Sequence, residues 1–126
     1  MTKVIINMKL PSLNDYIAVC RTNKYKAAQF KRDLESDIAL FLRRLPRFEE
    51  PIKIHFHWIE ENGKRDLDNV AAAKKFILDT LVKLEKLKND NRKNVYAFTD
   101  TFEYSDKARV ILYIEEAEND TEPKIN

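Results

Sequence analysis

The 126-residue chain predicts a single α/β domain, a mixed sheet of about four strands with two main helices packed on it. Three observations carry this reading. Ile52, Ile54, Phe56 and Trp58 alternate with Lys53, His55 and His57, the pattern of a half-buried strand. Val70, Ala73, Ile77, Leu81 and Leu84 recur at three- and four-residue steps, as on one face of a helix. Shorter alternating segments at both ends of the chain supply the remaining strands, and the length suffices for one core.

In chain order, Lys3 to Met8 alternates around Val4, Ile5 and Ile6 and predicts the first strand. Pro11 and Ser12 open a helical region that runs to about Leu45, with a break near Thr22-Asn23. Ile38, Phe41, Leu42 and Leu45 have helical spacing and belong to its core face. Pro46 and Pro51 bracket a turn before the second strand, and Glu60 to Gly63 is the loop that leaves it. The central helix spans Val70 to Leu84, and Asn89 to Asn94 is a polar turn. Val95 to Thr101 predicts a third strand and Arg109 to Ile114 a fourth, with Ser105-Asp106-Lys107 joining them as an antiparallel hairpin.

Composition excludes several classes of protein. Gly63 is the single glycine, so neither a P-loop nor a dinucleotide fingerprint is present. Cys20 is the single cysteine, which rules out an internal disulfide and a cysteine-based zinc site; its apolar surroundings predict a buried side chain. No apolar run approaches the ~18 residues of a spanning helix, and nothing resembles a signal peptide, so a soluble, cytoplasmic protein is expected. The net charge of +2 hides an asymmetry. Residues 1–114 carry 22 basic and 16 acidic side chains, a balance of +6, while the segment from Glu115 onward is acidic. A folded domain over 1–115 followed by a disordered acidic tail over 116–126 is the expected organisation, and the basic body suits an anionic partner.

The stretch that carries chemistry is Lys64-Arg65-Asp66-Leu67-Asp68-Asn69. On extended backbone, Asp66 and Asp68 would point the same way, and two such carboxylates can grip one hard cation. Capping of the following helix is the competing role for these acids and Asn69. Lys64 and Arg65 would offset the repulsion between the acids and meet a phosphate. On a continuous helix Asp68, Ala72, Lys75 and Asp79 share a face. Asp79 lies too far along it to share an ion with Asp68, and an ion pair with Lys75 or Lys83 is its expected role. Arg21, Lys24, Tyr25, Lys26, Lys31 and Arg32 form a basic segment around a tyrosine, suited to phosphate contacts and to stacking on an exposed base; a solvated helix face is the alternative. His55 and His57 share a strand face, where the wetter side of a sheet accounts for them more simply than metal ligation.

Taken together, Asp66-Leu67-Asp68-Asn69, Lys75 four residues before Asp79, and Asn89-Asp90-Asn91 resemble the RusA family of Holliday-junction resolvases. Leu10-Pro11-Ser12-Leu13-Asn14 resembles that family's segment after its first strand. The resemblance implies a homodimeric endodeoxyribonuclease acting on branched DNA, with Mg²⁺ as cofactor and Mn²⁺ as a substitute. It implies Asp66, Asp68 and Asp90 as metal ligands and Lys75 as the catalytic lysine. Two departures stand out. The family turn usually reads Asp-Asp where this chain has Asn89-Asp90, and the longer interval from Asp68 to the lysine leaves Lys74 as an alternative to Lys75. A non-cleaving DNA-binding protein of the same fold is the other expectation. A helix of about 16 residues, some 24 Å long, would also hold Asp90 away from Asp66, unless it is shorter and residues 85–88 fold back.

Overall fold

The computed structural model describes residues 1–118. Four strands form one mixed sheet: β1 (Thr2–Ile6), β2 (Ile52–Glu60), β3 (Val95–Tyr104) and β4 (Arg109–Glu116), in the spatial order β1-β4-β2-β3. The helices are α1 (Leu13–Thr22), α2 (Lys24–Leu42), α3 (Leu67–Ala71) and α4 (Lys74–Lys83). The α/β class is therefore as the sequence predicts. Each of the two expected helical regions is divided, the first at Asn23 and the second at Ala72-Ala73.

Local chemistry explains these divisions. Ser12 caps α1 in a reciprocal box with Asp15: each residue's side chain accepts from the other's backbone N–H, at 3.2 and 2.9 Å. Asn23 is extended, and its side chain accepts from the N–H groups of Tyr25 and Lys26, so it ends α1 and starts α2. Between α3 and α4 the chain tightens into i→i+3 bonds, Ala73 to Val70, Lys75 to Ala72 and Phe76 to Ala73. At the far end of α4, Glu85 takes a left-handed conformation (φ 59°). Lys86 N–H then reaches Leu81 O and Glu85 N–H reaches Val82 O, the paired bonds of a Schellman terminus. The ten-residue α4 is thus short, and the chain folds back after it, with Lys86 O accepting from Phe48 N–H.

The strand register sorts the sheet into two faces. Ile52, Ile54, Phe56 and Trp58 of β2 and Val110, Leu112 and Ile114 of β4 are buried, and pack with Leu34, Ile38 and Leu42 of α2 and Ile77 and Leu81 of α4. Each such side chain contributes about 1.5–3 kcal/mol of burial. The opposite face carries His55, His57, Ile111 and Tyr113, all only partly buried. There His55 hydrogen-bonds Thr99 and Thr101, and His57 hydrogen-bonds Thr101 and Glu103. The histidines thus serve the wetter side of the sheet, as expected.

Three expectations need correction. β3 and β4 are not a hairpin: β3 pairs parallel with β2 at the sheet edge, and β4 runs antiparallel between β1 and β2. The short link between them steps over the end of β2, where Ser105 N–H donates to Glu60 O at 2.9 Å. Cys20 is exposed rather than buried, because α1 lies on the outside of the domain and buries no residue completely. The acidic segment also begins inside the fold. Glu115 and Glu116 belong to β4, and a carboxylate oxygen of Glu116 accepts from Glu50 N–H at 3.2 Å; residues 119–126 of the expected tail lie outside the described residues.

Candidate functional site

The site is built from three segments that the fold hangs on one side of β2: the turn entering α3, the first turns of α4, and the loop that returns to β3. Asp66 is the extended N-cap residue of α3, and Asp68 lies in that helix's first turn. Of the two arrangements the sequence left open for these acids, alternation on extended backbone and the start of a helix, the second is the one present. Both are exposed at the positive end of α3, a favourable place for carboxylates. Among the described residues Asp66 has no side-chain partner, and Asp68 accepts only from Asn69 N–H at 3.0 Å.

The next residues separate two adjacent lysines. Lys74 turns inward and meets Asp100 of β3 at 2.7 Å, beneath the rings of Phe98 and Phe56 at 4.3 and 5.2 Å. Trp58 Nε1–H also donates to Asp100, at 2.8 Å. Lys75 points outward, 65% exposed, and reaches Asp90 at 2.7 Å and Asp79 at 3.1 Å. Lys75 is consequently the lysine available to a ligand, and Lys74 is committed to the sheet. Asp90 arrives there because α4 is short and the chain after Glu85 folds back. The Lys75 ammonium holds the Asp90 carboxyl below the usual carboxylate range, and Asp90, then Asp79, raises the lysine in return.

Asp79 bridges two helices, with Oδ1 on Lys75 and Oδ2 on Lys31 of α2, both at 3.1 Å. Lys31 also lies 3.9 Å from Glu35, whose side chain is 97% buried and also pairs with Lys83. The expected Asp79–Lys75 pair is present, while Lys83 is taken by Glu35. Leu13, Tyr16, Lys31, Ala72, Lys75, Phe76 and Asp79 line a pocket of about 180 Å³ beside this chain of charges. Tyr16 packs edge-on against Phe76, and its phenol is raised by a hydrogen bond to Cys20 and by burial.

The residues expected to meet DNA fall into two groups. Arg21, Lys24, Tyr25, Lys26, Arg32 and Lys64 are exposed; Lys24 lies over the Tyr25 ring at 5.4 Å, and Arg32 donates to Gln29. Tyr25, 73% exposed, is held by the Asn23 cap at the start of α2. Lys31 and Arg65 are engaged within the protein. Arg65 forms a two-pronged pair with Glu60 at 2.7 and 2.9 Å and donates to Leu10 O, tying the loop after β2 to the Leu10-Pro11 segment.

Asp66, Asp68 and Asp90 do not form one cluster: no set of three or more His, Cys, Asp or Glu side chains among the described residues is close enough to hold a metal. Sequence reasoning missed Asp100 and Glu35. The signal for Asp100 was a charge between Phe98 and Phe102 on the face turned toward the helices. For Glu35 it was a carboxylate one residue after Leu34 and three before Ile38, on the buried side of α2. No protein-family model matches the chain, and neither does any curated protein. Among the described residues, no helix is long and apolar enough to cross a membrane.

Proposed function

We propose that the chain is a Mg²⁺-dependent, structure-specific endodeoxyribonuclease that hydrolyses phosphodiesters in branched DNA. The observation that carries the reading is the contact between Lys75 and Asp90. These residues stand fifteen apart in the chain, both belong to the RusA-like motif, and a short α4 with its fold-back brings them to 2.7 Å. Mg²⁺ is usually held by one or two carboxylates, with water and substrate phosphate completing its shell. Asp66 and Asp68, two exposed acids with no ion pair among the described residues, suit that requirement. Asp90, the third oxygen donor that the resemblance implies, would have both to part from Lys75 and to approach that turn. Bound there, Mg²⁺ (or Mn²⁺) would supply an activated water and neutralise charge on the scissile phosphate. Lys75, released from Asp90, would stabilise negative charge developing on the phosphoryl oxygens. Lys24, Tyr25 and Lys26 would hold the backbone and stack an unpaired base.

Paired cuts in two symmetry-related strands of a four-way junction need two sites, so a two-fold homodimer is part of the proposal. Light scattering checks it: a particle of one chain's mass, still single on the junction, removes the dimer. The reading as a whole rests on cleavage of a synthetic four-way junction in Mg²⁺. Wild type should cut and Asp68→Asn should not, while Ca²⁺ should support binding with little cutting. Equal cutting by both proteins would overturn the metal assignment.

A second reading is a DNA-binding protein of this fold that does not cut. Asn89, where the family turn has an aspartate, and the longer interval from Asp68 to Lys75 favour it. Junction binding that needs no divalent ion and survives Asp66→Ala, with no cleavage in Mg²⁺, would select it.

A further inference from the structure

Lys31 reads from sequence as one more phosphate contact in a basic segment, but its surroundings differ from those of its neighbours. Lys24 and Lys26 stand exposed at the start of α2, whereas Lys31 lies two turns further on and faces α4. Its ammonium sits on Asp79 Oδ2 at 3.1 Å, close to the buried Glu35 at 3.9 Å. Its single charge is therefore already met inside the protein, by two carboxylates that it shares with Lys75 and Lys83. The other oxygen of Asp79 receives Lys75, which in turn receives Asp90. One continuous chain thus runs Glu35–Lys31–Asp79–Lys75–Asp90 from the buried side of α2 to the returning loop.

Each link constrains the next. A carboxylate side chain turns easily about its last torsion. With Lys31 fixed on Oδ2, the plane of the Asp79 carboxylate is set and Oδ1 is aimed at Lys75. Lys31 also shares the Asp79 charge, so that Lys75 is not drawn wholly onto Asp79 and can bridge to Asp90. Without Lys31, Asp79 has one cation left, Lys75 moves toward it, and Asp90 loses its anchor.

We infer that Lys31 is a positioning residue that, through Asp79, aims Lys75 at Asp90, rather than a contact for DNA. This deepens the nuclease reading and rests on it for the consequence for cleavage, while the consequence for the loop stands apart from any activity.

The test measures three quantities on wild type, Lys31→Met and Lys31→Arg: junction affinity with its salt dependence, single-turnover cleavage at saturating protein, and amide hydrogen exchange across residues 89–94. For Lys31→Met, affinity should stay within about twofold and the salt slope should be unchanged, because a phosphate contact would contribute roughly 0.9 to it. Cleavage should fall about 10- to 100-fold, the range for residues that orient a site from one shell out, because a Lys75 drawn wholly onto Asp79 no longer stands free to leave Asp90 for a phosphate. Exchange at 89–94 should accelerate roughly fivefold or more as the loop opens locally. Lys31→Arg should restore both. A salt slope lower by about 0.9 with weakened binding would overturn the inference, as would unchanged exchange. If wild type cuts no junction, the nuclease reading fails and exchange alone decides the positioning role. Should Lys31→Met fail to fold, the same comparison is made on a Glu35→Gln background, where no buried carboxylate is left short of a cation.

Discussion

Lys74 and Lys75 are neighbours in sequence and each holds an aspartate at 2.7 Å, yet one pair is enclosed by the fold and the other stands open to solvent. Lys74 is 17% exposed and roofed by two phenyl rings, and its partner Asp100 is also held by Trp58. Lys75 is 65% exposed and shares two carboxylates with solvent. A cation that has lost most of its water cannot leave its partner cheaply, whereas one that remains hydrated can exchange an aspartate for a phosphate. The difference teaches that partner distance alone does not mark a functional lysine; what the surroundings allow it to release does.

The largest stability effect expected from this comparison falls on the inner pair. Lys74→Met strands a half-buried carboxylate and should cost about 2–3 kcal/mol in urea unfolding. Lys75→Met should cost under about 1 kcal/mol in the same measurement. Equal losses would break the distinction.

A pH series sharpens it. The Asp90 carboxyl is depressed, so its contribution is fully present above the unfolded carboxylate value, near 4, and fades as pH falls through the lower folded value. Lys75 is raised, so its contribution is fully present below the unfolded amine value, near 10, and fades as pH rises through the higher folded value. Between these limits the outer pair should add a flat increment, read as the difference in urea midpoint between wild type and Asp90→Asn. A step in that difference near neutral pH would show that another group controls the contact.

The smallest effect concerns the turn that makes the outer pair possible. Glu85 occupies a left-handed position that glycine takes without cost, so Glu85→Gly should stabilise the domain by roughly 1 kcal/mol. A loss instead would mean that the Glu85 side chain contributes more than its backbone conformation costs.

Much of this arrangement was legible in the sequence, and the parts that were not have identifiable causes. β2 reads clearly because one of its faces is wholly covered, so Ile52, Ile54, Phe56 and Trp58 are buried in strict alternation. The parallel pairing of β3 was hidden by the short link after Ser105, which looks like a hairpin when only length and turn residues are weighed. The exposed Tyr96, Phe98 and Tyr104 mark β3 as an edge strand only once the sheet order is known. The break between α3 and α4 falls on alanines, the best helix formers, so no local signal announces it. For the candidate site, the sequence singled out Asp66, Asp68, Lys75 and Asp90, of which the structure brings Lys75 and Asp90 together, and it offered the fold-back as one of two solutions. It could not tell Lys74 from Lys75, nor see that Lys31 holds Asp79, because the partners Asp100 and Asp79 lie far along the chain on other elements. Glu60, the partner of Arg65, is only five residues away but sits at the end of β2.

The most direct test of the account is single-turnover cleavage of a four-way junction in Mg²⁺ by Lys75→Met, compared with wild type at equal folded fraction. Loss of a charge-stabilising group from the reacting centre should slow cleavage by at least about 10²-fold with junction affinity nearly retained. Cleavage at the wild-type rate would contradict the assignment of Lys75, and with it the division between the two lysines.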